Sequence, residues 1–394
     1  MTDPLNEVYD LLGQQIRKRA GTLWDVTLAL HRSPELSYEE VRAARLLTGH
    51  LHEAGFEVEC GTAGLATAFT ARTGNAERPC VALLLEYDAL PELGHACGHN
   101  LIAAAGLGAA LAVRGVLPDV QGMLLVVGTP AEERGGGKVV LTEAGVFEGV
   151  DAALMFHPGA HDWRWAPLTA STQVSVAFHG RAAHPTGNPT EGIDALAALI
   201  QFFNTLPVIS RRLPPGSHVQ GIVTQGGRAT NVVPDHAEGL FGLRGATTAA
   251  RDDLARQLAV CASGVAEATG TTVETARIDG GYRHFRDNAV LSGRFASHLA
   301  GCGPELSEPV PGVWLGSSDI GDVSNRVPAI HPFVAIVGPE SSDHTAQFAD
   351  AAAGPRGRAV MLAAAEALAR TAVDVLLTPG LVDKAWAVHD LPAE

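Results

Sequence analysis

The chain has 394 residues, 46% of them hydrophobic and 18% charged, and a formal net charge of −15. That length exceeds one typical hydrophobic core and predicts two domains. The acidic balance excludes a nucleic-acid binder, which needs a basic face, and gives no attraction to an anionic membrane.

Five scattered cysteines, Cys60, Cys80, Cys97, Cys261 and Cys302, form no C-x-x-C pair. They predict a reducing compartment rather than a disulfide framework. Residues 1–20 lack the apolar centre of a signal peptide, and no apolar run reaches membrane-spanning length. The expected location is the cytoplasm.

Residues 6–31 carry apolar side chains at helical spacing. Ser37-x-x-Glu40 has the form of a capping box opening a helix over 38–54, which Gly55 ends. Short strands are expected at 56–60 and 65–72. The apolar run 81–85 reads as a buried strand feeding Glu86-Tyr87-Asp88-Ala89-Leu90-Pro91-Glu92-Leu93-Gly94-His95-Ala96-Cys97-Gly98-His99-Asn100. An Ala- and Leu-rich helix over 101–115 follows. Another buried strand, 121–128, ends in Thr129-Pro130-Ala131-Glu132-Glu133-Arg134-Gly135-Gly136-Gly137, and 138–144 looks helical. The strand 152–156 ends at His157-Pro158-Gly159. Long apolar strands alternating with helices indicate an α/β domain with a largely parallel sheet.

From about 170 the texture changes. Segments 173–178, 218–224 and 236–243 alternate apolar and polar residues, as half-exposed strands do. Segments 191–206 and 249–269 read as helices, and 272–278 as a strand. This order is a ferredoxin-like α+β unit inserted into the first domain. The expected division is 1–169 and 285–394 for the α/β domain and 170–284 for the insert. A last core strand is expected at 333–337 and a long helix at 356–377.

Ligands bind at the C-terminal edge of open α/β sheets. Four clusters fall at strand ends or loops: Cys97/His99, Glu132/Glu133, His157 and His344. A dinuclear metal site needs about four to six N, O or S ligands and a bridging water. Cys97, His99, Glu133, His157 and His344 supply that number, and the glycine between Cys97 and His99 lets both turn toward one point. Adjacent carboxylates at a strand end point different ways. One can therefore bind metal while the other takes a proton from the water and passes it to a leaving amine. Gly135-Gly136-Gly137-Lys138 lacks the spacing of a phosphate loop, and its glycines read as close packing around the site.

Together, His95-Ala96-Cys97-Gly98-His99-Asn100, Pro130-Ala131-Glu132-Glu133 and Phe156-His157-Pro158 resemble the dinuclear metallo-aminoacylase and carboxypeptidase family (peptidase clan MH). Tyr87-Asp88-Ala89-Leu90-Pro91 and Asp343-His344-Thr345-Ala346-Gln347-Phe348 are similar too. The likeness is closest to the amidohydrolase branch, with its p-aminobenzoyl-glutamate hydrolase-like and aminoacylase-like dipeptidase members. It implies metal ligands at Cys97, His99, Glu133, His157 and His344, a general base at Glu132 and a ligand-orienting aspartate at Asp88. It further implies a lid histidine at His184 that stabilises the oxyanion, substrate contact at Asn231, and a lid arginine at Arg244. Two departures, Glu86 for the wider family's histidine and Asn100 for aspartate, point to the p-aminobenzoyl-glutamate hydrolase-like side.

The resulting expectation is a metal-dependent amidohydrolase with two divalent ions, zinc or manganese. Its substrate is a small amide, an N-acyl or N-aroyl amino acid or a small dipeptide, and the chain forms a homodimer through the lid. The alternatives are an exopeptidase on ordinary peptides and a non-catalytic metal-binding protein. His31, His50, His52, His179 and His331 read as surface or structural residues. His161 and Trp163 read as pocket candidates, and Ser317 to Asp322 as a substrate-contact loop. Cys60, Cys80, Cys261 and Cys302 read as small buried hydrophobes.

Overall fold

The computed structural model describes residues 4–188 and 190–391. In chain order it runs α1 (Pro4–Arg32), α2 (Val41–Glu53), β1 (Glu57–Cys60), β2 (Phe69–Gly74), β3 (Cys80–Glu86), α3 (His99–Val116), β4 (Met123–Thr129), α4 (Gly137–Glu143), β5 (Ala152–Leu154) and β6 (His157–Gly159). There follow β7 (Ala170–His179), α5 (Ala195–Ser210), β8 (His218–Gln225), β9 (His236–Gly245), α6 (Thr248–Thr269) and β10 (Thr272–Arg277). The chain closes with α7 (Ala289–Ala300), α8 (Ile320–Ser324), β11 (Ala329–Ile330), β12 (Phe333–Ala335), α9 (Ala346–Ala352), α10 (Pro355–Leu377) and α11 (Leu381–His389). It divides into two compact units, one of residues 1–166, 286–310 and 322–394, the other of 167–285 and 311–321. The stretch 311–321 thus clusters with the second unit, because Thr169 and Leu315 bond across the strip between 167–169 and 315–317.

The first unit is mixed α/β. Its main sheet has the order β1-β2-β4-β3-β5-β11. The four strands β4, β3, β5 and β11 are parallel, and β2 and β1 add antiparallel at one side. Every residue of β3 is buried, as a central strand covered on both faces requires. Each leucine side chain so buried contributes about 1.5–3 kcal/mol. Helix α3 packs against β3 and against α1 and α10. It is long and apolar enough to cross a membrane by length and composition, contrary to the expectation from run length. It is instead buried from His99 to Val113 as a core helix.

Residues 333–337 are not a strand of this sheet. Phe333–Ala335 pairs only with His157–Gly159, forming a separate two-stranded parallel pair, while Ala329–Ile330 joins the main sheet. Both segments step out of the main sheet just before these residues, and that step brings His157 beside Phe333. Cys60 is exposed rather than buried, because it closes the edge strand β1. Cys261 and Cys302 are half-buried, and Cys80 is buried. Burial, with Asp151 beside it, pushes the Cys80 thiol up to about 12.

The second unit is a four-stranded antiparallel sheet, order β10-β7-β9-β8, with α5 and α6 packed on one face. Buried and half-exposed residues alternate along β9 without a break, which matches a sheet with one covered face. Its core gathers Val176, Phe178, Leu199, Phe202, Phe241, Leu254 and Leu258. The edge strand β8 is largely exposed.

Beyond the apolar core, the helices of the first unit share a buried carboxylate. Asp374 on α10 is fully buried and accepts hydrogen bonds from Tyr9 on α1 and from His298 on α7 at 2.8 Å. A buried carboxylate without such partners would be strongly destabilising. Asp287, just before α7, is less well served. Ser292 Oγ donates to one oxygen at 2.7 Å, and the other is shielded from solvent without a hydrogen-bond partner. Burial pushes this carboxyl from 3.8 to about 7. Between those values the unfolded chain ionises first, so stability falls as pH rises from about 4 to 7 and is flat outside that window. Asp287→Asn should abolish that share of the decline. The gap in melting temperature between variant and wild type should widen with pH from 4 to 7, as calorimetry would record; a constant gap would contradict the assignment.

Candidate metal centre

The C-terminal ends of β3, β4 and β5 carry the chemistry. Chain continuity from β3 brings Asp88, Cys97 and His99. The loop after β4 brings Glu132 and Glu133, β6 brings His157, and the turn before α9 brings His344. Three groups hold ligand atoms within 4.8 Å of one another: Cys97, His99 and His157; Cys97, Asp343 and His344; His99, Glu132 and Glu133. All five expected ligands, with Glu132 and Asp88, therefore meet in the first unit. Asp343 joins them, although its place in the sequence gives it no role.

The ring nitrogens are sorted for ligation. His99 Nδ1 faces the Asp88 carboxylate and the Asp88 carbonyl, each at 3.0 Å, and donates its proton there. His99 Nε2 is left buried without a hydrogen-bond partner. It lies 3.9 Å from Glu132 Oε2, 4.0 Å from Glu133 Oε1 and 3.5 Å from Glu86 Oε2. His157 Nδ1 donates to the Pro158 carbonyl at 2.7 Å, leaving Nε2 to face Cys97 Sγ at 3.6 Å. An acceptor that holds the proton on the far ring nitrogen is the usual companion of a metal-bound imidazole. Glu133 Oε1 is also buried without a hydrogen-bond partner, and its Oε2 lies 3.4 Å from His344 Nε2. Orphaned buried acceptors converging in this way fit divalent metal ions.

The electrostatics differ from group to group, and at His99 a metal ion would have to displace a proton. Burial alone would raise the Asp88 carboxyl, but His99, the Glu133 amide and the Ser37 hydroxyl bring it down to about 2. Burial resists charge on His99, yet Cys97 and Asp88 outweigh it and lift its pKa well above the usual range. Desolvation lowers His157 to about 4, the neutral form a metal requires.

Gly98 separates the two candidate ligands Cys97 and His99 at φ +76°, a left-handed conformation that a side chain strains. A Cβ there would stand 2.5 Å from Pro158 Cγ. The glycines after Glu133 pack as tightly: a Cβ on Gly137 would stand 2.0 Å from the Pro130 carbonyl oxygen.

Several residues of the site escape a reading of the sequence. Lys138 is fully buried and pairs with the buried Glu86 at 2.5 Å. Burial raises Glu86, and the Lys138 ammonium, with His99, His157 and His331, more than reverses that. The signal was available: Glu86 ends an apolar strand and needs a counter-cation, and the chain has only three lysines. His331, read as structural, is fully buried, edge-on to His157 with ring centroids 5.3 Å apart. Ser37-x-x-Glu40 is not a capping box. Helix α2 starts at Val41, and Glu35 caps it by accepting from the Arg42 and Ala43 amides at 2.8 and 2.9 Å. Ser37 instead donates to Asp88 at 3.0 Å, and Glu40 accepts from Ala131 N at 2.9 Å. Tyr38, at φ +67°, cannot sit in a helix.

The remaining expected residues lie in the second unit. His184 is exposed, and its Nδ1 accepts from the Thr186 and Gly187 amides at 3.2 and 3.0 Å, which places the ring proton on Nε2. Asn231 is exposed before β9. Arg244 on β9 donates to Ser317 Oγ at 2.6 Å and, with His218, Trp314 and Thr169, lines a cavity of about 290 Å³. His161 stacks on Trp163 with ring centroids 4.2 Å apart, in the first unit.

Comparison with known proteins agrees with the geometry. Residues 170–269 match the peptidase dimerisation domain of the M20 family. The chain is 36% identical to the Xaa-Arg dipeptidase of Mus musculus over 94% of its own length and 89% of that protein's. It is 28% identical to one of the subunits of p-aminobenzoyl-glutamate hydrolase from Escherichia coli (strain K12), over 98% of its own length and 95% of that protein's. The Bacillus subtilis YXEP protein, a dinuclear metal-binding peptidase of the M20 family, shares the fold with a TM-score of 0.73 at 22% identity, covering 92% of this chain and 99% of that one. The chain belongs to the M20 peptidase family and is a metal-dependent hydrolase of amide C–N bonds.

Gly98→Ala should lower metal content and melting temperature together, because strain of about 1–3 kcal/mol adds to the clash with Pro158. Elemental analysis beside thermal melting checks this. Full metal content in a folded variant would refute the role given to Gly98.

Proposed function

We propose that the chain hydrolyses the amide of an N-acyl or N-aroyl amino acid or of a small dipeptide, with Glu132 as general base. Cys97, His99, Glu133, His157 and His344 would hold two divalent ions, zinc or manganese, with the Cys97 thiolate favouring zinc. When bound, such ions supply Lewis acidity toward the carbonyl and acidify the nucleophilic water. Glu132 takes a proton from that water and returns it to the leaving amine nitrogen. Asp88 keeps the His99 proton on Nδ1 and so keeps Nε2 available. The observation that carries this reading is the adjacent carboxylate pair: Glu133 stands between His99 and His344, and Glu132 comes within 3.9 Å of the same His99 nitrogen.

In the second unit, His184 has the tautomer that donates from Nε2, which suits stabilisation of an oxyanion. Arg244 offers a guanidinium to a substrate carboxylate, with Asn231 as a further polar contact. The dipeptidase reading draws on the identity with the Xaa-Arg dipeptidase. The acyl-amino-acid reading draws on the p-aminobenzoyl-glutamate hydrolase likeness. The deciding experiment is elemental analysis with a panel of acetyl-amino acids, p-aminobenzoyl-glutamate and dipeptides ending in arginine, before and after chelation. About two metals per chain and chelator-sensitive release of free amino acid are expected. Glu132→Gln should reduce turnover at least 10²-fold with metal content unchanged; turnover within tenfold of wild type would remove Glu132 from the role of base.

Dimerisation through the second unit belongs to the same proposal. Its support is the match to a dimerisation domain and a sheet edge, β8, that exposes Ile222 and Val223. Such an edge is a template for a second copy. Ile222→Asp should shift sedimentation from dimer to monomer, and an unchanged dimer would exclude this edge.

A further inference from the structure

Glu40 is fully buried in the first unit, yet α2, which it precedes, takes its side-chain cap from Glu35. Its carboxylate is therefore released from the task its position in the sequence suggests. One oxygen accepts from the Thr67 hydroxyl at 2.8 Å and the other from the Ala131 amide at 2.9 Å. Ala131 is the residue before Glu132 and holds φ +60° although it is not glycine. Left-handed backbone costs an alanine about 1–2 kcal/mol, so its surroundings must hold it there. The Ala131 carbonyl accepts from Gly136 N at 2.9 Å, which closes the loop on the far side.

On the other flank of Glu132, the Glu133 amide donates to Asp88 Oδ2 at 3.0 Å. The Pro130–Ala131 peptide, one residue ahead of Glu132, and the Glu132–Glu133 peptide that follows it are thus each anchored to a buried carboxylate. The two anchors share one support, since Ser37 donates to that same Asp88 oxygen and Ala89 N donates to the Glu35 carbonyl at 2.9 Å. Burying a carboxylate is costly, and an apolar residue would fill the space at less cost. The acceptor is explained by what it holds.

We propose that Glu40 is a positioning residue for Glu132, gripping the left-handed Ala131 amide so that the Glu132 side chain leaves the backbone at the angle proton transfer requires. This rests on the reading of Glu132 as base. Displacing a catalytic group by about 1 Å costs on the order of 10²-fold in rate. Glu40→Ala should therefore lower kcat by about that factor, with KM and metal content unchanged. Glu40→Gln keeps an oxygen for Ala131 N and an amide for Thr67, and should restore kcat to within about fivefold of wild type. In a Glu132→Gln background, Glu40→Ala should cost nothing further, because residues acting through one group are not additive.

Steady-state kinetics on the best substrate of the panel, with elemental analysis of each variant, separates the outcomes. If Glu132→Gln is inactive while Glu40→Ala keeps kcat within threefold of wild type, the positioning role falls and the base stands. If Glu132→Gln stays active, both fall. If Glu40→Ala and Glu40→Gln lose metal and activity alike, Glu40 merely supports the fold and the proposal is overturned. Should Glu40→Ala not fold, Thr67→Val carries the test by loosening the same carboxylate. A severalfold fall in kcat at unchanged KM is then expected, and an unchanged kcat overturns the proposal.

Discussion

Asp88 sits fully inside the first unit and accepts from three directions at once: the His99 ring, the Ser37 hydroxyl and the Glu133 amide. Each bond joins a different segment, so the charge on one carboxylate ties the loop after β3, the approach to α2 and the loop after β4 into one rigid piece. Desolvation would neutralise it, and these partners keep it ionised. Because it is ionised, it holds His99 Nδ1 as a donor toward itself and turns Nε2 into the cluster. The geometry of His99 and Glu133 inherits this constraint.

The same principle repeats around the site. Glu86 is kept charged by Lys138, Glu40 is occupied by Thr67 and Ala131, and His157 gives its proton to a backbone carbonyl. His99 Nε2 and Glu133 Oε1, both buried without a hydrogen-bond partner, lie 4.0 Å apart. In a well-packed interior, orphaned polar groups are costly and rare. Their convergence at the strand ends distinguishes a place for ions from an ordinary buried polar network.

The second unit follows different physics. Its sheet has one face covered by α5 and α6 and an edge strand open to solvent, and the residues proposed to meet substrate are exposed or half-buried. His184 and Asn231 are exposed, whereas Cys97, His99 and His157 are buried and His344 alone of the candidate ligands is exposed.

Much of this was determined by the sequence itself. Apolar runs at 81–85 and 121–128 read as buried strands, alternation at 173–178, 218–224 and 236–243 reads as a half-exposed sheet, and Cys97-Gly98-His99 and Glu132-Glu133 point to ligand chemistry at the strand ends. These are local properties, carried by periodicity and by adjacent residue types. What only the tertiary structure decided are the partners across long separations. Ser37-x-x-Glu40 has the local form of a capping box, but Glu35 takes the helix and leaves Ser37 to Asp88 and Glu40 to Ala131, 91 positions away. Lys138 finds Glu86, and the shift of β6 and β12 out of the main sheet sets His331 against His157. A side chain's partner is chosen by which groups are desolvated beside it, and the spacing of residues along the chain does not encode that.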